Sequence, residues 1–475
     1  MRIALYYPRG STYSPKGNDL HRAACVMPPI GLAVIAAMLR DGGHTVRIID
    51  AALRHTVSND RWASEIVNWK PDLVGFSAIT SNFLDAYEVC EKIKTLAPSI
   101  ITVFGGVHVS WGRESVLQKF EAVDIIVTGE GEQSLLQLAS GAPLSSIPGA
   151  YFRNGPLIEK GPDQTRLCDM DSLPFPAYDL LDGFPRTYLL PLFSYPAHPV
   201  AGVISSRGCL HQCSYCDRSV FGKSFRWNSP EYTMEHITRL KGDFGVRHIN
   251  FYDDQFTTNT ARVIRLCELL QKSKMRVSFN CTVRLGHIDS SLCSILKSAG
   301  CWMVNVGIES GDQGLLNFHK SGLTLETITN DVRMLHHHGL YVKGLFMMGL
   351  PGETEETLRK TRNFALSLPL KDANMTAFTP FPGAPITPKI TEYGALQNHW
   401  PSLDCEHFMF VPRAIPSREF LEKQMALFIT SFYQRPFMRH IYIKMIFQSP
   451  HSFWRLLKNA VVFLKYMVKI NTQKK

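Results

Sequence analysis

The chain of 475 residues has no apolar run approaching the ~20 residues that cross a bilayer. Charge is sparse, at 19% of residues against 45% hydrophobic, which excludes a disordered chain and fits sizeable folded cores. Cysteine is thin, 11 over the whole length, which excludes a small disulfide-stapled fold. The opening Met-Arg-Ile-Ala-Leu-Tyr-Tyr-Pro lacks the apolar core of a secretory signal and reads as a first strand. A cytoplasmic setting is expected, where cysteines stay reduced and more often hold metal.

Acidic residues are also missing from one stretch. Residues 423–475 carry ten Lys and Arg and no Asp or Glu, and the preceding 422 residues balance at 41 basic and 41 acidic side chains. The net charge of +10 therefore belongs to the tail. It gives the rest of the chain no electrostatic footprint for nucleic acid, and no nucleic-acid-binding motif is visible, so no such partner is expected.

Residues 1–140 alternate strand-like runs (Arg2–Tyr6, Thr45–Ile49, Asp72–Phe76, Ile100–Phe104, Asp124–Val127) with helical stretches such as Gly31–Arg40, Phe83–Leu96 and Gly112–Phe120. That rhythm predicts βαβ units and a parallel sheet, with Gly-rich and polar loops at the carboxyl ends where ligands bind. Residues 141–198 are Pro-rich and aperiodic and are read as a connecting segment running over its neighbours. A second series fills residues 199–390. Its strands Val200–Ser205, His248–Tyr252, Val277–Cys281, Met303–Val306, Val342–Met347 and Asn374–Thr379 make six βα units, a partial barrel short of the eightfold one. Residues 391–475 are read as a helical, basic C-terminal region.

The sharpest signal is Arg207-Gly-Cys209-Leu-His-Gln-Cys213-Ser-Tyr215-Cys216-Asp217, directly after a predicted strand. A structural zinc site needs four ligands, and no fourth Cys or His is paired with this trio. Thiolates on an iron–sulfur cluster fit better, and three thiolates on four irons leave one iron open to a substrate or cofactor.

The Cys-x3-Cys-x2-Cys pattern, with aromatic Tyr215 before the last Cys, resembles the radical SAM superfamily. Further matches follow strand by strand: Tyr252-Asp-Asp254-Gln-Phe256, Arg284, Gly307-Ile-Glu309-Ser310, Gly349-Leu-Pro-Gly352-Glu353-Thr354 and Phe381-Pro-Gly-Ala-Pro385. The resemblance implies that Cys209, Cys213 and Cys216 ligate a 4Fe-4S cluster. It also implies that the open iron chelates S-adenosylmethionine (SAM), which Tyr215, Asp254, Arg284, Gly307, Glu309 and Ser310 help to place, and that a 5′-deoxyadenosyl radical results. Opening a non-acidic carbon–hydrogen bond needs a cofactor, because no protein base can do it.

The first domain has its own likeness. Pro28-Pro-Ile-Gly-Leu32, Val74-Gly-Phe-Ser77-Ala-Ile-Thr80, Gly105-Gly106-Val-His108 and Gly129-Glu130-Gly-Glu132 resemble the Rossmann-like cobalamin-binding domain of class B radical SAM proteins. Glycines let backbone approach a large ligand, and Ser77 and Thr80 can hydrogen-bond a nucleotide tail. The Asp-x-His-x-x-Gly pattern of cobalt-ligating histidines is absent, so His108 is assigned to the cobalamin loops with a loop hydrogen bond favoured over cobalt ligation.

Together these imply radical methylation of an unactivated carbon, with methylcobalamin as methyl donor, a small-molecule or lipid-like substrate, and a flavodoxin-type reductase as electron source. An oxidative cyclase that consumes SAM only as a radical source is the alternative, and a non-catalytic cobalamin sensor the alternative of another class. The basic tail has two readings, a cap on the barrel or a surface lying peripherally on a membrane. Lys/Arg at 455, 458, 465 and 469 form one stripe at helical spacing, a pattern that core-packing helices also show.

Overall fold

The computed structural model describes residues 1–10, 26–320 and 322–458. The first sheet contains β1 (Arg2–Tyr7), β2 (Thr45–Asp50), β3 (Leu73–Ser77), β4 (Ile101–Gly105), β5 (Ile125–Val127), β6 (Ala150–Asn154) and β7 (Leu157–Lys160), in the order β2-β1-β3-β4-β5-β6-β7. The first five strands are parallel. Ile3, Ala4, Leu5 and Tyr6 are all buried, as expected of a strand covered by helices on both faces. The strand order reverses between β1 and β3, which opens a ligand crevice at their carboxyl ends.

The Pro-rich segment departs from its expected role. Its first part folds as the antiparallel hairpin β6–β7 on the edge of this sheet. Gly155 opens the two-residue turn with φ +58°, a conformation cheap only for glycine. The rest packs between the two sheets instead of running over them. The Tyr178 hydroxyl donates to Gly202 O at 3.0 Å, and the Tyr188 hydroxyl donates to Asp50 at 2.9 Å, both buried. One apolar cluster therefore runs from Ile3 and Leu5 through Ala177, Tyr178 and Tyr188 into Val203 and Phe251 of the second sheet.

The second sheet is all parallel. It comprises β8 (Val200–Val203), then β11 (His248–Phe251), β12 (Ser278–Val283), β13 (Cys301–Glu309), β14 (Tyr341–Met348) and β15 (Asp372–Ala377), in sequential order. The ribbon β9 (Ser206–Arg207) and β10 (Arg226–Trp227) brackets the cysteine loop. Side chains cap the helices between the strands: Ser229, Asn259, Asp289, Thr324 and Thr354 each accept from a first-turn N–H, which satisfies an otherwise orphaned donor.

Two further expectations change. The Gly112–Phe120 helix is two short helices, Val107–Gly112 and Glu114–Lys119, broken at Arg113 with φ +47°. The C-terminal region is not helical from its start, because β16 (Gly394–Leu396) and β17 (Phe410–Pro412) pair first. Helices Arg418–Tyr433 and Pro436–Gln448 follow. Among the described residues no helix is long and apolar enough to cross a membrane. The basic-stripe positions Lys465 and Lys469 lie outside the described residues.

Candidate functional site

The cysteine loop leaves the end of β8 through a set of buried anchors. Asp253 accepts from Ser205 N, Ser205 Oγ and Ser206 Oγ, each at 2.7 Å. Asp254 accepts from Gly208 N at 3.0 Å. Gly208 has φ +88°, and a Cβ there would strike the Ser224 carbonyl, so the entry to the loop requires glycine. Inside the loop, Ser214 N donates to His319 O at 3.0 Å and Ser214 Oγ pairs with His319 Nδ1 at 2.6 Å. His319 Nε2 in turn reaches Pro351 O at 2.8 Å, in the turn after β14. Asp217 accepts from Gly383 N at 3.2 Å, and Ser214 O accepts from Ile386 N at 3.0 Å, so the turn after β15 also holds the loop.

Cys209, Cys213 and Cys216 are half-buried and unpaired as disulfides. Burial, then the neighbouring Cys213 and Cys209, push the Cys216 thiol up to about 12. Burial also raises Cys209, which lies in the fields of Asp254 and Arg284. Burial and the adjacent Glu309 carboxylate hold the Tyr215 phenol well above its usual range. Among the described residues no three His, Cys, Asp or Glu converge closely enough to hold a single ion. A cluster that takes one thiolate per iron asks for no such convergence.

At the end of β13 the register slips between Gly307 and Glu309, and Glu309 has φ +63°. That is an observed strain in a bulge, and strain of this kind collects at functional sites. Lys320 Nζ bonds both Gly307 O at 2.6 Å and Glu309 Oε1 at 2.9 Å, which aims the carboxylate. Ser310 is spent locally: its hydroxyl is 3.1 Å from Thr361 Oγ1 and accepts from Asp312 N at 3.1 Å. Burial pushes the Glu353 carboxyl up to about 8.

The switch-point crevice is a cavity of about 190 Å³ lined by Gly31, Gly75, Ser77, Gly105, Gly106 and Gly129, among others. Glycine backbone and apolar side chains such as Leu5, Ile35 and Leu135 line it together. A Cβ at Gly31 would meet nothing within 4 Å, and at Gly105 nothing nearer than 3.8 Å. Gly106 has φ +103°, and a Cβ there would strike the Ala78 carbonyl. Glycines kept clear at the carboxyl ends of parallel strands let backbone approach a ligand there. Ile204, Arg207, Val220 and Phe221 line the cavity from the other half of the chain, and all four flank the three cysteines in sequence.

Three buried charges and the partly buried Arg226 join the halves. Arg207 Nη1 meets Glu130 Oε1 and Arg207 Nη2 meets Glu132 Oε1, both at 2.7 Å. Arg226 Nη1 meets Glu130 Oε2 at 2.7 Å. Sequence reasoning gave Glu130 to the cofactor and passed over Arg207, Arg226, Glu132, His319 and Lys320. The position of Arg207, two residues before Cys209, was the available signal.

Thr80 and His108 do not line the cavity. They face each other at 3.4 Å, with Phe83 tilted against the imidazole at 4.3 Å and Trp400 edge-on to it at 4.6 Å. Burial pushes His108 down to about 4.

The B12 binding domain family matches residues 20–139, and the Radical SAM superfamily matches residues 203–365. The chain is 30% identical to the uncharacterized methyltransferase PH0819 of Pyrococcus horikoshii, over 91% of this chain and 92% of the relative. The chain belongs to the cobalamin-binding radical SAM enzymes. It is also 27% identical to the anaerobic magnesium-protoporphyrin IX monomethyl ester cyclase of Rubrivivax gelatinosus, over 94% of this chain and 80% of the cyclase. The fold is shared with the radical S-adenosylmethionine methyltransferase TsrM of Kitasatospora setae, at TM-score 0.65 and 21% identity, covering 82% of this chain and 76% of TsrM. The cofactors of this family are a 4Fe-4S cluster, SAM and cobalamin.

Proposed function

We propose that the protein methylates an unactivated carbon of a small-molecule or lipid-like substrate held between the two sheets. One observation carries this reading: Ile204, Arg207, Val220 and Phe221, which flank the three cysteines in sequence, also line the glycine-rich cavity, so the two candidate cofactor regions are neighbours. Bound there, the cluster with SAM supplies a 5′-deoxyadenosyl radical, and cobalamin supplies the methyl group.

In this reading Cys209, Cys213 and Cys216 ligate the cluster. Tyr215, Arg284, Gly307 and Glu309 face SAM, with Lys320 fixing the Glu309 carboxylate. Asp254 and Ser310 act through the backbone they hold. Ser77, Gly105, Gly106 and Gly129 bear the corrinoid, while Glu130 locks the sheets together. A flavodoxin-type reductase supplies electrons, and the C-terminal region gives peripheral membrane contact.

The similarity to the cyclase favours one second reading, radical cyclisation with SAM consumed only as radical source. Anaerobic reconstitution with iron, sulfide, hydroxocobalamin, SAM and a strong reductant, assayed on pathway extract, separates the two. Methylation yields substrate-dependent 5′-deoxyadenosine and S-adenosylhomocysteine in near-equal amounts. Deoxyadenosine alone overturns it in favour of cyclisation.

A further inference from the structure

We propose that the outer face of the last two described helices docks on an anionic lipid bilayer, and that this docking is independent of the chemistry at the cofactor sites. In helix Pro436–Gln448, Ile443, Ile446 and Phe447 fall on one face, and all three are exposed, Phe447 at 82%. In the helical residues 450–458, Trp454 and Leu457 repeat the pattern, Trp454 at 62% exposure. Five large apolar side chains on one short stretch exceed the scattered exposure of an ordinary surface.

The stretch is not a frayed end. Met438, Ile441 and Met445 on the opposite face are buried. Arg455 Nη1 donates to Leu190 O at 2.8 Å and to the Tyr195 hydroxyl at 2.6 Å. His451 Nδ1 is 3.0 Å from the same hydroxyl. Arg435 Nη2 donates to Leu370 O at 2.8 Å. The apolar face is thus presented by helices bolted to the connecting segment and the barrel.

Charge selects the occupant. Arg439, Lys444 and Lys458 lie on these helices, and no acidic residue occurs from 423 onward. Apolar side chains that include Trp and Phe, rimmed by Lys and Arg without a counter-charge, match the interface of a bilayer rich in anionic lipid.

The test is flotation of the full-length protein with vesicles of phosphatidylcholine alone or with about one-third phosphatidylglycerol. The wild type should float with the anionic vesicles, weakly with neutral ones, and lose binding as salt rises. The double variant Phe447→Ser/Trp454→Ser should bind at least about ten-fold more weakly. Both positions are exposed, so its melting temperature should match the wild type. Lys444→Gln/Lys458→Gln should lower binding less and flatten the salt dependence. No flotation, or flotation unchanged in Phe447→Ser/Trp454→Ser, overturns the proposal. So does self-association in solution that this variant abolishes, because the face would then be covered by a second copy.

Discussion

The two halves of the centre are held in opposite ways. The cysteine loop is pinned from four other places: the Asp254 carboxylate, His319, the Gly383 N–H, and the Glu130 and Glu132 carboxylates of one loop. The crevice across from it is shaped by glycines at the strand ends and by apolar side chains, with few polar anchors. A metal cluster needs its ligands fixed before it arrives, whereas a large planar cofactor needs surface kept clear. The same interface meets both demands with different residue types, and Arg207 belongs to both halves.

The contrast predicts how each half breaks. Replacing Cys209, Cys213 and Cys216 with Ala should remove iron and bring turnover below detection while leaving about one equivalent of bound cobalamin, read by iron assay and absorption spectrum. Next in size is Arg207→Gln. It strands Glu132 in a buried site, leaves Glu130 with Arg226 alone, and should cost about 3–5 kcal/mol in denaturant unfolding. Arg207→Lys should recover only part, since an ammonium cannot fork to two carboxylates.

Gly106→Ala should cost on the order of 1–3 kcal/mol of local strain and weaken cobalamin retention at least about ten-fold, with iron content unchanged. The smallest effect is at His108. Burial sets it near 4 in the fold against an ordinary 6.5, so the unfolded chain takes up its proton first. Its contribution is complete above about 6.5 and is lost as pH falls toward 4, at up to about 1.4 kcal/mol per unit. His108→Gln should flatten that limb in pH-dependent melting and leave cobalamin retention unchanged. Lost retention would return the histidine to the cofactor site.

Legibility in the sequence follows the same divide. Cysteine spacing and glycine at strand ends are local signals, and the strands they punctuate were readable from continuous apolar runs such as Ile3–Tyr6. The pins are not local. Ser214 with His319, or Asp217 with Gly383, are pairs far apart in the chain, and nothing in one sequence joins them. His108 makes the loop contact expected of it, to Thr80, but its distance from the cavity is not legible from a Gly-Gly turn two residues before it. Its burial is decided by Trp400, which arrives from the far end of the chain. The hairpin β6–β7 is hidden by surrounding prolines, one of them in its own Gly155-Pro156 turn.

The most direct test of this division of labour uses SAM with a deuterated methyl group and Gly106→Ala protein of full iron content. The account predicts that 5′-deoxyadenosine still forms while transfer of the label to product falls with cobalamin retention. Labelled product at the wild-type rate would contradict it.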